Sequence, residues 1–472
     1  MSKLGFTQEK GKARKVEELA HFLFVLSYFN FHGMLVKVDI LIYGCTILPI
    51  GGGVDVIEDG AIAIKDGEIV FVGKRESAVG ISADEKIDAK GKAALPGLIN
   101  CHTHVAMTLF RGLAEDKPLD VWLREAIWPL EAKLTRDDVY IGALLGCLEM
   151  LKSGTTCFAD MYFYEDAVAR AVSESGLRAV LAEGIIEAGD KTRGEKMLNA
   201  SAAFAKAFNG YADGRVKTML GPHAAYSCSP ELLMKVRDRA SELGVGVHMH
   251  LAESAELFKE YEKRYGCSEV EFLDRLGFFR GHVLAAHCIN LSQGDRRILA
   301  ERGVNAVYVP IANTKLGLNT AKVKELIDLG INTTLGTDGP ASNNSLDMFE
   351  TMKFGALLQK FIYQKPEVLS TDEVLRMATI NGAKALGLEK VVGSLEIGKK
   401  ADIILVDLSR PHLRPLHNVY ASILYSARGS DVETVIVDGK ILMENRIVKT
   451  LNEQLVVEEA EKHASELLSR NL

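Results

Sequence analysis

The stretch Leu98-Ile-Asn-Cys-His-Thr-His104 follows the turn dipeptide Pro96-Gly97, and its apolar start predicts a short buried strand. Side chains two residues apart on a strand point to the same face, so His102 and His104 converge at the end of this strand. Two imidazoles at one point form a candidate metal site, although a His-x-His pair also occurs as a surface pair or a hydrogen-bonded pair. Further ligands at other strand ends decide between these interpretations.

The composition indicates a large globular protein. The chain has 472 residues, of which 47% are hydrophobic and 25% are charged, which suits one large domain with an accessory domain. Its net charge of -7 lacks the clustered basic charge that nucleic-acid binding requires. We therefore expect no nucleic-acid partner.

The cysteines and the first residues bear on the location of the protein. Seven scattered cysteines without a Cys-x-x-Cys pair argue against a disulfide framework and favour the reducing cytoplasm. The apolar run at residues 20–31 is shorter than the roughly 20 residues that cross a bilayer, so no membrane partner is predicted. Residues 1–33 are interpreted as an N-terminal extension outside the main fold.

Short alternating strands at both ends of the chain predict one small β domain. Asp66-Gly67 and Asp438-Gly439 each lie between two alternating runs, and such pairs are strong hairpin signals. The two β segments, residues 34–95 and 395–450, are interpreted as a single β-sandwich domain built from both termini. The charged, amphipathic segment 451–472 is predicted to be a C-terminal helix.

The middle of the chain, residues 96–394, alternates short apolar strands with longer helical stretches, which predicts parallel strands joined by crossover helices. Eight strands are predicted, at residues 98–104, 154–162, 178–184, 216–223, 245–251, 281–287, 304–309 and 331–338. Eight such units favour an α/β fold of the (β/α)8 TIM barrel type over an open doubly wound sheet. No Gly-x-Gly-x-x-Gly follows any of these strands to suggest a dinucleotide site.

Polar side chains fall at the predicted carboxyl ends of the barrel strands, where the chemistry of such barrels takes place. These side chains are His102, His104, Glu183, His223, His250, His287 and Asp338. The chain has only 12 histidines, so five of them at strand ends argue strongly for a metal centre.

Four of these side chains form the predicted metal site. His102, His104, His250 and Asp338 offer three imidazoles and one carboxylate for one divalent ion per subunit, and an open position would hold water. The ion would lower the pKa of that water molecule, and Asp338 could accept the released proton.

Three neighbouring residues are interpreted from their positions. Glu253 lies three residues past His250, where it can reach over the site as a proton shuttle, the alternative being a solvated loop carboxylate. His287 is expected to orient the hydroxide or Asp338 through a hydrogen bond, the alternative being a buried core histidine. His248 lies one step deeper than His250 and is interpreted as structural.

Several motifs resemble the amidohydrolase superfamily. They are Pro96-Gly-Leu-Ile-Asn-Cys-His-Thr-His104, His250-Leu-Ala-Glu253, Ala286-His-Cys288 and Leu335-Gly-Thr-Asp-Gly339. Within that superfamily the chain resembles the methylthioadenosine/S-adenosylhomocysteine deaminases, and most closely the archaeal 5'-deoxyadenosine deaminases. The residues that carry this closer resemblance are Met107-Thr-Leu-Phe-Arg-Gly112, Trp128-Pro-Leu-Glu131, Gly154-Thr-Thr156, Phe158-Ala-Asp-Met-Tyr162, Gly221-Pro-His223 and Ser342-Asn-Asn-Ser345.

The resemblance implies hydrolytic deamination of a 5'-substituted adenosine at C6, which gives the inosine analogue and ammonia. In that reaction metal hydroxide attacks C6, Glu253 protonates N1, and Asp338 passes the proton of the water to the leaving amine. The resemblance also implies that Glu131 binds the ribose hydroxyls and that His223 binds the adenine ring.

The resemblance has consequences for the metal and for assembly. Superfamily members with two metals bridge them by a modified lysine at the end of strand four, whereas this strand ends in His223, which favours one metal. The ligand set suits zinc, the preferred prediction, or ferrous iron. The partners implied are a small-molecule nucleoside and further copies of the chain in a dimer or tetramer.

Two residues depart from the pattern of the relatives. Glu183 stands where relatives that accept the homocysteine substituent place an arginine, and a carboxylate there would repel the carboxylate of S-adenosylhomocysteine. Arg193 is a candidate to compensate. Tyr308 stands at the end of strand seven, where relatives usually carry a histidine.

Two other functions stay open on the sequence alone. The first is a superfamily enzyme that acts on guanine, a pterin or a triazine, which free adenine or guanine as a substrate would support. The second is a metal-binding or assembly protein without catalysis, which a lack of ammonia release from nucleosides would support.

Overall fold

The computed structural model describes residues 36–51 and 55–470. The predicted N-terminal extension, residues 1–33, lies outside the described residues. Within those two ranges no helix is long and apolar enough to cross a membrane. All seven cysteines are buried and none is bonded to another.

The described residues form two sheets and a set of helices. The strands are β1 (Val36–Ile47), β2 (Ile57–Lys65), β3 (Glu68–Lys74), β4 (Ile81–Asp88), β5 (Lys92–Pro96), β6 (Leu98–Thr103), β7 (Thr155–Tyr162), β8 (Arg178–Ile185), β9 (Val216–Pro222), β10 (Gly246–Leu251), β11 (Val283–His287), β12 (Asn305–Tyr308), β13 (Thr333–Leu335), β14 (Ile403–Asp407), β15 (Val432–Val437), β16 (Lys440–Glu444) and β17 (Ile447–Val448). The α-helices are α1 (Leu119–Trp122), α2 (Trp128–Glu131), α3 (Arg136–Lys152), α4 (Glu165–Ser175), α5 (Lys191–Phe208), α6 (Pro230–Leu243), α7 (Ala255–Tyr265), α8 (Glu269–Arg275), α9 (Gln293–Arg302), α10 (Pro310–Lys315), α11 (Val323–Asp328), α12 (Met348–Tyr363), α13 (Thr371–Met377), α14 (Ile380–Ala385), α15 (Val419–Ala421) and α16 (Glu453–Ser469).

The central sheet contains eight parallel strands, β6 to β13, in the order of the chain. Each lies within the predicted strand or differs from it by one residue at an end. Helices follow the strands as crossovers, so the predicted α/β barrel is confirmed. Every residue of β6, β7 and β10 is buried, because the interior of the barrel covers one face and helices cover the other.

The two ends of the central sheet meet at residues that later form the site. The Asp338 N–H donates to the His102 carbonyl over 2.9 Å. Gly336 permits this close approach, because a Cβ there would lie 2.9 Å from the backbone nitrogen of His102. The motif Leu335-Gly-Thr-Asp-Gly339 therefore brings the last strand against the first.

The second sheet combines segments from both ends of the described chain. It is a mixed sheet of nine strands in which β5 pairs in parallel with β1 and antiparallel with β14, so that the early and late segments are joined. Both predicted hairpins are present, β2 with β3 and β15 with β16. A separate β unit built from both termini was predicted, and the sheet confirms it.

Candidate active site

A cavity of about 720 Å³ opens at the carboxyl ends of the barrel strands. We use two names for its parts. The floor is the cluster of His102, His104, His250 and Asp338, of which the last three line the cavity and His102 lies buried beside them. The wall is the segment 119–131, which supplies lining residues that include Trp122, Trp128 and Glu131. The sequence predicted the floor residues as a metal site.

The floor residues lie close together although they come from distant parts of the chain. His104 Nε2 is 3.3 Å and His102 Nε2 is 3.6 Å from Asp338 Oδ1. His250 Nε2 is 3.4 Å from His104 Nε2. His102, His104 and Asp338 offer ligand atoms that all lie within 4.8 Å of one another, and so do His102, His250 and His287. The floor therefore combines two groups that share His102, and His250 also lies beside His104.

The other ring nitrogen of each floor histidine is held from behind. The Nδ1–H of His104 donates to the Met161 carbonyl over 2.7 Å, and that of His250 donates to the His223 carbonyl over 2.8 Å. His102 Nδ1 lies 2.9 Å from His248 Nε2. These partners fix the ring orientations and direct each Nε2 lone pair towards the other ligand atoms of the floor.

The floor fits a divalent cation on two observations. His102 Nε2 is fully buried and has no hydrogen-bond partner among the described residues. Burying an unpaired polar atom costs free energy unless a ligand binds to that atom. Burial, reinforced for His102 by neighbouring histidines, lowers the pKa values of His102, His104 and His250, so the rings are neutral. Neutral imidazole is the form that binds a metal.

The backbone at Asp338 is held in an unusual conformation. Its φ is 66°, in the left-handed region that a residue with a side chain rarely adopts. The Gly339 N–H donates to Asp338 Oδ1 over 2.7 Å, and the Thr103 hydroxyl donates to the Asp338 carbonyl over 3.0 Å. These contacts aim the carboxylate at the histidines of the floor.

Glu253 lies beside the floor on the loop after β10. Its carboxylate is buried, and its Oε1 is 3.7 Å from His287 Nε2. Burial raises the pKa of Glu253, and His287 counteracts part of this shift. The Asn290 side chain donates to the Glu253 carbonyl over 3.0 Å, which braces the loop.

His287 is oriented by a residue that the sequence analysis did not single out. Its Nδ1–H donates to Asn313 Oδ1 over 2.9 Å, and its φ is 73°. The sequence analysis expected His287 to orient the hydroxide or Asp338, which stays a prediction. The His287 Nε2 atom lies 3.7 Å from Glu253 Oε1 and is grouped with His102 and His250. Asn313 lies on α10 and was missed because nothing in the sequence relates this helix to the end of β11.

Glu131 ends the wall and faces the same cavity. Burial raises its pKa to about 7, and the Tyr162 hydroxyl beside it opposes part of that shift. Across the cavity, His223 follows β9, and its Nδ1 lies 3.1 Å from the Ser227 hydroxyl. Burial lowers the pKa of His223 to about 4, so its ring is neutral.

A second cavity of about 1520 Å³ adjoins the first and shares Trp128, Glu131 and His223 with it. Glu183, which stands where relatives place an arginine, lines this second cavity. Arg193, the candidate to compensate for that missing arginine, lines it too. The Glu183 carboxylate accepts hydrogen bonds from the backbone N–H groups of Tyr164 and Glu165, over 3.2 and 2.8 Å. It therefore also caps the start of α4, which the sequence analysis did not foresee.

Tyr308, the other departure, lies in the protein core. It is 1% exposed, and its hydroxyl accepts hydrogen bonds from the side chains of Thr320 and Gln359 over 3.1 and 3.0 Å. Gly355 makes room for the ring, since a Cβ there would lie 3.1 Å from Tyr308 Cε1. Tyr308 does not line the first cavity.

Comparisons with known proteins agree with this geometry. Residues 93–442 match the amidohydrolase family. The chain is 50% identical over 432 residues to the 5'-deoxyadenosine deaminase of Methanosarcina mazei, which covers 92% of this chain and 99% of that protein. It is 46% identical over 432 residues to the 5-methylthioadenosine/S-adenosylhomocysteine deaminase of Desulforamulus reducens, covering 91% of this chain and 99% of that one.

A solved structure is similar as well. An adenosine deaminase from Xanthomonas campestris with bound zinc matches with a TM-score of 0.88 at 33% identity, covering 92% of this chain and 100% of that one. The two chains therefore share a fold over almost their whole length.

Proposed function

The chain belongs to the amidohydrolase family, and on that premise we propose that it deaminates 5'-substituted adenosines, with the site residues and the metal assigned below. The reaction is hydrolysis at C6, in which water replaces the exocyclic amine and ammonia leaves. The substrates proposed are 5'-deoxyadenosine, 5'-methylthioadenosine and S-adenosylhomocysteine, with adenosine as a further candidate. The observation that carries the proposal is the convergence of three Nε2 atoms and the Asp338 carboxylate beneath a cavity that also contains Glu253 and Glu131.

We propose zinc as the metal, held by His102, His104, His250 and Asp338. Three neutral imidazoles and a carboxylate are typical zinc ligands, so these four side chains would hold the ion. A bound ion of this kind lowers the pKa of water and so supplies a nucleophile near neutral pH. Metal analysis of the purified protein tests the identity, with ferrous iron as the alternative outcome.

The proton transfers are assigned to two carboxyl groups. Glu253 has a raised pKa because it is buried, which suits a group that delivers a proton to N1 of the purine. His287, fixed by Asn313 and 3.7 Å from Glu253, orients that carboxyl group. Asp338 is placed to accept the proton of the attacking water and to pass it to the leaving amine.

Two further residues bind the parts of the nucleoside that do not react. The Glu131 carboxylate can accept hydrogen bonds from both ribose hydroxyls, and the neutral His223 ring can donate to a nitrogen of the purine. Both residues line the first cavity, Glu131 on the wall and His223 with its ring centroid 4.7 Å from that of His250. Binding of the ribose on the wall thus positions C6 over the floor.

A substrate screen tests this function. Protein of known metal content is incubated with 5'-deoxyadenosine, 5'-methylthioadenosine, adenosine, adenine and guanine, and both the ultraviolet spectrum and ammonia are followed. We expect one ammonia for each nucleoside converted and much slower reaction of the free bases. Equal rates on adenine or guanine, with no effect of Glu131→Gln, would instead indicate a hydrolase of another heterocycle.

We propose that the 5' substituent enters the second cavity, where Glu183 disfavours a carboxylate. Neutral 5'-deoxyadenosine and 5'-methylthioadenosine should then react at least as well as S-adenosylhomocysteine. A kcat/KM for S-adenosylhomocysteine that is about tenfold higher or more, equivalent to about 1.4 kcal/mol, would contradict this preference.

A further inference from the structure

The wall of the cavity packs on the protein core through Trp122 and Ile127, and its two ends continue into the rest of the chain. It consists of the short helices α1 and α2 with a π-helical turn, Leu123–Ile127, between them, and it contains no strand. Segments of this kind have little stability of their own, so their position depends on what holds the flanking residues. The end that matters most is the one next to Glu131.

That end of the wall leads directly into a buried carboxylate. After Glu131 the chain makes a turn in which the Leu134 N–H donates to the Glu131 carbonyl over 3.1 Å. Thr135 then caps α3, and its N–H and hydroxyl donate to Asp138 Oδ2 over 2.8 and 2.6 Å. Asp138 is 0% exposed.

The last helix of the described chain supplies the other partners of this carboxylate. His463 Nδ1 lies 2.8 Å from Asp138 Oδ1, and Arg470 Nη2 donates to the same oxygen over 3.0 Å. Burial alone would raise the pKa of Asp138, but the hydrogen bonds from Arg470, Thr135 and His463 hold it well below its usual range. The carboxylate is therefore charged and fully engaged.

Arg470 also contacts the turn that follows the wall. Its Nη1 donates to the Lys133 carbonyl over 3.1 Å, two residues after Glu131, and to Asp138 Oδ2. One guanidinium thus joins the turn that follows Glu131 to the start of α3. Its planar, multivalent donor group suits two acceptors at once, which a lysine would not reproduce.

We propose that Arg470 is a positioning residue for substrate binding, because it fixes the end of the wall that presents Glu131. Arg470 does not line the cavity, so it acts through Lys133 and Asp138. Its loss should weaken nucleoside binding while the floor, which is built on the barrel strands, keeps its metal and its chemistry.

The chain offers a matched control at the other end of the same helix pair. Glu453 begins α16 and its Oε2 lies 2.6 Å from Lys152 Nζ at the end of α3. Glu453→Gln removes a charged contact between the same two helices, but at the end away from the wall. A general loosening of α16 would affect the Arg470 variants and Glu453→Gln alike.

The chain also carries its own reporter. It has only two tryptophans, and both of them, Trp122 and Trp128, belong to the wall. Trp128 is 42% exposed and Trp122 is 6% exposed, so the share of the emission that is protected from a soluble quencher such as acrylamide comes from Trp122 while the wall is held. Quenching of tryptophan emission therefore measures wall mobility without any substrate.

The test compares wild type, Arg470→Gln, Arg470→Lys and Glu453→Gln at equal metal content. For Arg470→Gln we expect the KM for 5'-deoxyadenosine to rise about three- to tenfold with kcat within twofold, because a displaced binding group costs affinity. The acrylamide quenching constant should rise about twofold. Arg470→Lys should give intermediate values, and Glu453→Gln should match wild type in both measurements.

The quenching result decides the inference independently of the proposed function on which the KM readout rests. The inference would be overturned if the acrylamide quenching constant of Arg470→Gln equalled that of wild type or of Glu453→Gln. A fall in kcat at constant KM would overturn it as well. If wild type deaminates no adenosine derivative, the proposed function fails, and quenching alone still decides whether Arg470 fixes the wall. If Arg470→Gln does not fold, the comparison of Arg470→Lys with wild type takes its place.

Discussion

The floor and the wall of the cavity face each other but are built in different ways. His102 and His250 lie on barrel strands, and Asp338 is tied to the first strand by a backbone hydrogen bond. The wall has two single-turn helices and a π-helical turn, and Arg470, far along the chain, contacts the turn that follows it. Under the proposed function, chemistry that needs fixed distances depends on the sheet, and recognition depends on the wall.

The two regions also differ in how they respond to pH. Burial lowers the pKa values of His102, His104 and His250, so these groups stay neutral across the physiological range. Burial raises the pKa of Glu131 to about 7, so its charge changes within that range. The comparison predicts that changes to the floor act on metal content and kcat, whereas changes to the wall act on KM.

The largest effect should come from removing a ligand of the floor. His250→Ala deletes one of three imidazoles, and we expect loss of most of the metal and a fall in kcat/KM of about a thousandfold or more, equivalent to about 4 kcal/mol. Metal analysis and steady-state kinetics measure both. His417→Asn, at an exposed histidine, is the control. A His250→Ala protein that keeps its metal and activity within tenfold of wild type would remove His250 from the site.

The next largest effect is expected from Glu253→Gln, which tests proton transfer separately from metal binding. Glu253→Gln keeps the shape of the side chain but cannot deliver a proton, so kcat should fall about a hundred- to ten-thousandfold. Metal content should stay at the wild-type level. The exposed Glu256 three residues later provides the control Glu256→Gln, which should be as active as wild type. Loss of metal in Glu253→Gln would show that the residue supports the floor rather than the reaction.

The sequence could predict the floor because its signals are local. Strand periodicity, the His-x-His spacing and polar residues at strand ends place His102, His104, His250 and Asp338 at one edge of a barrel once the strand count is known. The roles of Glu131 and His223 came from resemblance to a family and not from pattern, since a glutamate on a short helix carries no signal of its own.

The supporting contacts could not be predicted because they depend on which distant elements become neighbours. The Met161 carbonyl that holds His104, and Asn313 that holds His287, are set by strand order and ring rotation. Arg470 and Asp138 are 332 residues apart, and no periodicity links them. The wall itself was missed because helices of a single turn leave no repeat in the sequence.

A smaller effect is expected from Glu131, where the wall meets the ribose. Glu131→Gln should raise the KM for 5'-deoxyadenosine about tenfold, equivalent to about 1.4 kcal/mol, with kcat within a few-fold of wild type. If the ionised carboxylate of wild type accepts hydrogen bonds from the ribose hydroxyls as proposed, KM should fall as pH rises through the pKa of about 7. The variant should lose that dependence between pH 6 and 8. Glu125→Gln, at an exposed residue of the wall, should behave as wild type. A KM of wild type that is flat with pH would contradict the assignment.

The smallest effect on activity is expected at Tyr308, the strand-end residue that faces neither floor nor wall. Tyr308→Phe removes the acceptor of hydrogen bonds from Thr320 and Gln359 and leaves both donors less well paired in the core. We expect a loss of about 1 to 3 kcal/mol in the free energy of unfolding, measured by urea denaturation. The kcat/KM should stay within twofold of wild type, because the hydroxyl is directed at α12 and not at the cavity. A fall in kcat/KM without loss of stability would place Tyr308 in the site and would extend the floor to the seventh strand of the barrel.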